Sequence, residues 1–351
     1  MSIFTLAGSS AAQSSDARVI VVTLDGMRWQ EVFGGADSTL LFGRAGGVHD
    51  TGFVARRFWR RTEAERREAL MPFFWTELAR HGQVLGDPAR GSEVRVTNGL
   101  RFSYPGYNEL FVGEPDPRID SNDKVPNPNL TVVEWLARMP AYSGRVAVYG
   151  SWDVFPYIFN VDRSGLPVIS LGEPIPDAAD SAARAVNRMT RDLPAHWASS
   201  ALDAPAMAGA FHRLQTADPG VLLVLLGETD EWAHDRRYDL YLDAAHRADR
   251  FLERLWREVE RNPSYRGRTS LIVSTDHGRG GGGDWTDHGR DVPAADRIWL
   301  GVMGPRTPAL GVIAGARATQ SQLAATLAAL LGEFWQSARP TAAPPVASAI
   351  R

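Results

Sequence analysis

The 351-residue chain contains no cysteine. That excludes disulfides, Cys-ligated zinc and a cysteine nucleophile together. Lysine is nearly absent too: Lys124 stands alone, and the other cationic side chains are arginine. Neither sign of charge dominates, with a formal net charge of −3 and a pI near 6.3. A nucleic-acid-binding surface needs a basic excess, so none is expected. No run approaches the roughly 20 apolar residues of a membrane span. No internal repeat is visible. The first seventeen residues carry no Lys or Arg, and so lack the basic start of a secretory signal. Even so, Ser9-Ser10-Ala11-Ala12-Gln13 has the small residues of a cleavage region. Residues 1–17 are read as a disordered tail or signal remnant. A periplasmic or secreted location is expected, with the cytoplasm as the alternative.

What is present is a sizeable core, since 44% of the residues are hydrophobic. Apolar runs at 18–24, 145–149, 221–226, 271–275 and 298–303 read as buried strands. Helical patterns lie between them. Ala64-Glu65-Arg66-Arg67-Glu68-Ala69-Leu70 is strongly helix-forming. Residues 239–260 place Leu242, Ala245, Ala248, Leu252, Leu255 and Val259 on one face. Thr319-Gln320-Ser321-Gln322 has the pattern of a capping box opening a last helix. Alternating strands and helices imply an α/β fold, a mostly parallel central sheet with helices on both faces. One domain is expected over 18–338, followed by a loose Pro/Ala-rich tail at 339–351.

The chemistry concentrates where strands end. Val22-Thr23-Leu24 runs into Asp25-Gly26. The strand at 221–226 leads to Asp230, with His234 four residues on, so a helical turn would put both on one face. The strand at 271–275 ends in Asp276-His277-Gly278, and His288 follows a glycine run. Open α/β sheets place ligands beyond the carboxyl ends of their strands. Carboxylate and imidazole are hard or borderline metal ligands. A helix cap explains any one of these aspartates equally well, but three strand ends plus two further histidines favour metal. Ser103, before the Pro105-Gly106 turn, is a hydroxyl among backbone donors, and an ordinary N-cap serine is its structural alternative. The glycines 280–283 match no phosphate loop, since no lysine follows. They read as a flexible strap that lets His288 fold back, with Arg279 a surface residue. Trp29, Trp75 and Tyr107 are expected in the core or around a pocket.

Taken in order, Leu24-Asp25-Gly26, Ser103-Tyr104-Pro105, Asp230-x-x-x-His234, Ser274-Thr275-Asp276-His277-Gly278 and His288 resemble the alkaline phosphatase superfamily. The nearest branch is that of nucleotide pyrophosphatase/phosphodiesterases, with the bacterial phosphoglyceromutase-like proteins. The resemblance runs from about residue 19 to 332. It implies one metal held by Asp230, His234 and His288, and another held by Asp25, Asp276, His277 and the nucleophile Ser103. It also implies that Asn122, with the amide of Ser103 or Tyr104, holds phosphoryl oxygens. Serine replaces the threonine usual in that branch. Tyr107 stands where sulfatases of the C/S-x-P-x-R type need arginine. The interval from Ser103 to Asp230 is too short for the large domain that mutases insert there.

The expectation is a hydrolase of small-molecule phosphate esters, monoester or diester, using two divalent ions and a phosphoserine intermediate. The expected metal is zinc, with manganese as the alternative. A phosphotransferase or mutase, a sulfatase-like hydrolase and a non-catalytic metal-stabilised binding protein are the competing readings. Oligomeric state is left open.

Overall fold

A computed structural model of the chain describes residues 16–175 and 180–351. The expected tail or signal remnant at 1–17 lies outside them, apart from Asp16 and Ala17. Among the described residues eleven strands are formed: β1 (Arg18–Leu24), β2 (Gly82–Leu85), β3 (Glu93–Arg95), β4 (Val146–Gly150), β5 (Val168–Ile169), β6 (Val221–Leu226), β7 (Thr269–Ser274), β8 (Arg297–Ile298), β9 (Leu300–Met303), β10 (Gly311–Val312) and β11 (Arg317–Thr319). Eight of them make one sheet in the order β10-β2-β9-β7-β1-β6-β4-β5. Every pairing in it is parallel except those of β9 with β7 and β2. The mostly parallel α/β sheet expected from the sequence is the one observed. β11, β3 and β8 form a small second sheet.

Burial on both faces follows from the unbroken apolar strands. In β1, Ile20, Val22 and Leu24 join the core shared with the helices Asp203–Thr216 and Tyr238–Arg261. Val19 and Val21 join the opposite core, with the helices Ser103–Val112, Val132–Ala137 and Gln322–Leu331. Each such fully buried aliphatic side chain contributes about 1.5–3 kcal/mol. The six residues picked from the pattern at 239–260 are all buried in Tyr238–Arg261. The same helix carries Asp249, whose carboxylate accepts hydrogen bonds from the amides of Phe73 and Phe74, both at 2.8 Å. It thereby caps the start of the helical run that follows Pro72.

Register positions the site. β1 lies between β7 and β6, with Leu24 opposite Leu226 and Thr23 opposite Ser274. The residues just beyond these three strands therefore emerge side by side.

Three expectations are corrected. The run 298–303 is not one strand: Ile298 pairs with Val94 in the small sheet, and Leu300–Met303 joins the large one. The break is at Trp299, which is fully buried and donates its indole N–H to the Met27 carbonyl at 3.0 Å. The capping box at 319–322 is half formed. Thr319 N donates to Gln322 Oε1 at 3.1 Å, but the helix starts only at Gln322, and Ser321 at its N-cap position makes no side-chain cap hydrogen bond. The Pro/Ala-rich segment after Arg339 is packed rather than loose. Ala342, Val346 and Ala349 are buried, and Val346 N donates to Thr326 Oγ1 at 2.9 Å.

Candidate metal centre

Asp25 follows β1 directly, and its amide donates to the Leu226 carbonyl at 2.8 Å, extending the ladder by one residue. Asp276 and His277 follow β7. Asp230 and His234 sit on the short helix Glu228–His234 after β6. That helix is tied to β1 by Thr229 Oγ1, which donates to the Asp25 carbonyl at 2.6 Å. His288 arrives from the glycine strap. The strap is anchored and not free, which corrects the flexible reading. Gly280 N donates to Asp287 O at 2.9 Å, and Trp285 is fully buried with its indole N–H on Ala45 O at 2.8 Å. Ser103 opens the helix Ser103–Val112 with Phe102 as its N-cap, so Ser103 itself is not the cap. The helix can come close because residue 106 is glycine. A Cβ there would lie 2.4 Å from the Asp276 carbonyl oxygen.

All seven residues singled out as ligands converge. Ligand atoms of Asp25, Asp276 and His277 lie within 4.8 Å of one another, as do those of Asp230, His277 and His288. His277 Nε2 is 3.3 Å from Asp25 Oδ1, 3.5 Å from Asp276 Oδ2 and 3.4 Å from Ser103 Oγ. His234 Nε2 is 3.2 Å from Asp230 Oδ2 and 3.0 Å from His288 Nε2. Four ligands about 2.0–2.1 Å from a tetrahedral ion stand about 3.3 Å apart, the spacing found in both groups. His277 also lies 3.7 Å from Asp230 Oδ1, so it stands between the groups instead of serving one alone.

The ring nitrogens are oriented for ligation. His277 Nδ1 meets the Gly278 carbonyl at 2.9 Å, and His288 Nδ1 meets the Arg101 carbonyl at 3.2 Å. Each carbonyl takes a ring N–H and leaves Nε2 with its lone pair facing the centre. Asp25 Oδ1 and Asp276 Oδ2 are buried and make no hydrogen bond among the described residues. Two such oxygens facing one point are costly unless a cation lies between them.

Electrostatics agree. Burial, then the charge of Asp230, pushes Asp25 well above the usual carboxylate range. Burial, then Asp25, does the same to Asp276. Burial also acts to raise Asp230, but Arg279 and then His234 outweigh it and hold the group well below its usual value. Burial, helped by His277, pushes the His288 imidazole down to about 2, so it stays neutral. A neutral imidazole with adjoining carboxylates is a metal-binding state, and a divalent cation is the group these residues fit.

Asn122 reaches the centre, but not in the arrangement expected. Its Oδ1 accepts from Tyr104 N at 2.9 Å, so that amide is taken and the free donor is the side-chain Nδ2. Tyr107, in the place of the sulfatase arginine, is fully buried, with its hydroxyl 3.3 Å from Thr23 Oγ1. A cavity of about 310 Å³ opens before Ser103, lined also by Asn122, Lys124, Trp152, Asp153 and Glu231. Lys124 Nζ is 2.6 Å from Asp153 Oδ2 at its wall. The sequence reading missed this wall. Its one signal was that Lys124, the sole lysine, follows Asn122 by two residues. It also misplaced Arg279, which is fully buried with its guanidinium against the Asp230 carboxylate.

The chain matches no protein-family model and no curated protein sequence. Its fold is shared with solved structures at low identity. The lipoteichoic acid synthase LtaP of Listeria monocytogenes has a TM-score of 0.55 and 11% identity, over 91% of this chain and 73% of that one. A murine ectonucleotide pyrophosphatase/phosphodiesterase has a TM-score of 0.53 and 13% identity, over 93% and 96%. A 2-O GAG sulfatase has a TM-score of 0.52 and 11% identity, over 95% and 72%. Among the described residues no helix is long and apolar enough to cross a membrane.

Proposed function

Taking the alkaline phosphatase superfamily fold as the frame, we propose that this chain hydrolyses small-molecule phosphate esters with two divalent ions, using Ser103 as nucleophile. The observation that carries the reading is Ser103 Oγ at the edge of the buried Asp25–Asp276–His277 group, 3.4 Å from His277 Nε2. Asp25, Asp276 and His277 would hold one ion beside Ser103, and Asp230, His234 and His288 the other. Zinc is the proposed metal, since imidazole and carboxylate suit it. When bound, such ions lower the pKa of a coordinated hydroxyl and offset charge on a leaving oxygen.

The protein's own groups do the rest. Ser103 Oγ gives up its proton and attacks phosphorus. The new P–O bond forms as the bond to the leaving oxygen breaks, and that oxygen takes up a proton, balancing the one lost from Ser103, and departs as the alcohol. Water then cleaves the phosphoserine, returning the Ser103 hydroxyl and releasing phosphate or its monoester. Asn122 Nδ2 is placed to donate to a non-bridging oxygen, with its other end fixed by the Tyr104 amide. The small residues at 9–13 support export, which cell fractionation would test.

Tyr107 in place of the motif arginine breaks the pattern that marks a serine for conversion to formylglycine, which supports an unmodified Ser103 and, with it, phosphate over sulfate esters. The test is a panel of nitrophenyl phosphate, bis-nitrophenyl phosphate and nitrophenyl sulfate on metal-loaded protein, with intact mass of the Ser103 peptide. Phosphate ester turnover should exceed sulfate turnover, and Ser103 should be unmodified. A formylglycine mass, or sulfate turnover dominating, overturns the proposal.

A further inference from the structure

Arg279 is two residues beyond His277 and has no exposed surface. Its Nη2 contacts Asp230 Oδ1 and donates to the Asp230 carbonyl at 3.1 Å, while Nη1 donates to the Thr286 carbonyl. Two main-chain acceptors on different segments fix the guanidinium plane, so it cannot swing clear of Asp230. Room for it is built in at residue 26. Gly26 has φ +58°, and a Cβ there would lie 2.7 Å from both Arg279 Nε and Asp230 Oδ1. Any other residue would be strained at that φ and would collide with this pair.

The two ligand groups are therefore unequal. Around Asp25, Asp276 and His277, two carboxylates face inward and all three side chains are at most 6% exposed. Around Asp230, His234 and His288 there is one carboxylate, and a permanent cation holds one of its oxygens. Only Oδ2 is left, 3.2 Å from His234 Nε2, and the His234 side chain is 43% exposed. A dication gains less from one shared carboxylate near solvent than from two buried ones, by Coulomb's law with a higher local dielectric.

We infer that Arg279 is a built-in cation that restricts Asp230 to one free oxygen and makes the Asp230–His234–His288 group the weaker, exchangeable metal site. The enzyme holds one ion firmly and takes the second from solution at the open side of the cavity. Arg279 is here a positioning residue, acting through Asp230. This rests on the proposal that both groups bind metal, and the test separates the two.

The experiment is calorimetric titration of chelator-stripped full chain with zinc, read beside thermal melting. Wild type should give two resolved events. His234→Ala should remove the weaker event and leave the tighter one. Arg279→Met should tighten the weaker event by about 10- to 100-fold, the size of effect that groups outside the ligand set exert. Arg279→Lys keeps the charge without the planar fork and should give a smaller gain, which covers the case where Arg279→Met does not fold. Two equal affinities, or a folded Arg279 variant with the weaker event unmoved, overturns this inference alone. Absence of any zinc binding overturns the metal reading beneath it.

Discussion

Gly106→Ala tests how Ser103 is positioned without replacing any proposed ligand. The added Cβ would stand 2.4 Å from the Asp276 carbonyl oxygen, where ordinary contact begins near 3.4 Å. That oxygen belongs to the backbone at the end of β7, so the helix Ser103–Val112 must recede by about 1 Å, an ordinary response to overpacking. Ser103 is three residues away on the same helix and moves with it. A displacement of about 1 Å at a reacting atom costs about 10²-fold in rate. Stability should change little. Overpacking costs about 1–3 kcal/mol, while alanine regains about 1 kcal/mol over glycine inside a helix. Steady-state kinetics on the best phosphate ester should show a drop in kcat of about two orders of magnitude, with metal content and melting within a few degrees of wild type. Near wild-type kcat in a folded variant would mean that the close approach at Gly106 does not place the nucleophile.

Two further outcomes follow from the same coordinates. Asp249→Ala leaves the buried amides of Phe73 and Phe74 without their acceptor, at a cost of about 2–4 kcal/mol. Burial raises the folded-state pKa of Asp249 from 3.8 to about 7, so its contribution is full below pH 4 and declines as pH rises to 7. Denaturant unfolding should show a larger loss for this variant at pH 5 than at pH 8, by on the order of 2 kcal/mol. A loss that grows with pH contradicts the assignment. Trp285→Ala removes the anchor of the segment carrying His288, a ring packed edge-on against Tyr238 and Tyr241. It should lower stability by about 3–5 kcal/mol and weaken one zinc-binding event, and a variant with both events intact sets aside the anchoring role.

Much of this arrangement is local in the chain, which is why it was legible. An apolar run marks a buried strand, and the residue after the run falls at the sheet's carboxyl edge whatever the strand order. Asp25, Asp276 and His277 needed nothing more to be brought together. Asp230 and His234 needed only a helical turn. What was not legible depends on partners distant in sequence. Arg279 looks like a surface residue until Asp230, forty-nine positions earlier, lies against it. The break at Trp299 follows from an acceptor at Met27. The tail after Arg339 packs because Thr326, Gln83 and Thr307 offer partners that composition does not reveal. Asn122 lies beside Tyr104, and its hold on the Tyr104 amide is a matter of rotamer, on which sequence is silent.

The central claim is that Ser103 attacks phosphorus from beside the buried carboxylate pair. The measurement is the kinetics of Ser103→Ala and Ser103→Thr on the best phosphate ester, with zinc content and melting temperature read in parallel. One hydroxyl contributes about 1 kcal/mol to stability by net hydrogen-bond values, so both variants should fold. Ser103→Ala should lose several orders of magnitude in kcat, because no atom remains to form the phosphoserine. Ser103→Thr keeps the hydroxyl and should retain part of the rate. If Ser103→Ala holds its metals and turns over near the wild-type rate, Ser103 is not the nucleophile and the account is wrong at its centre.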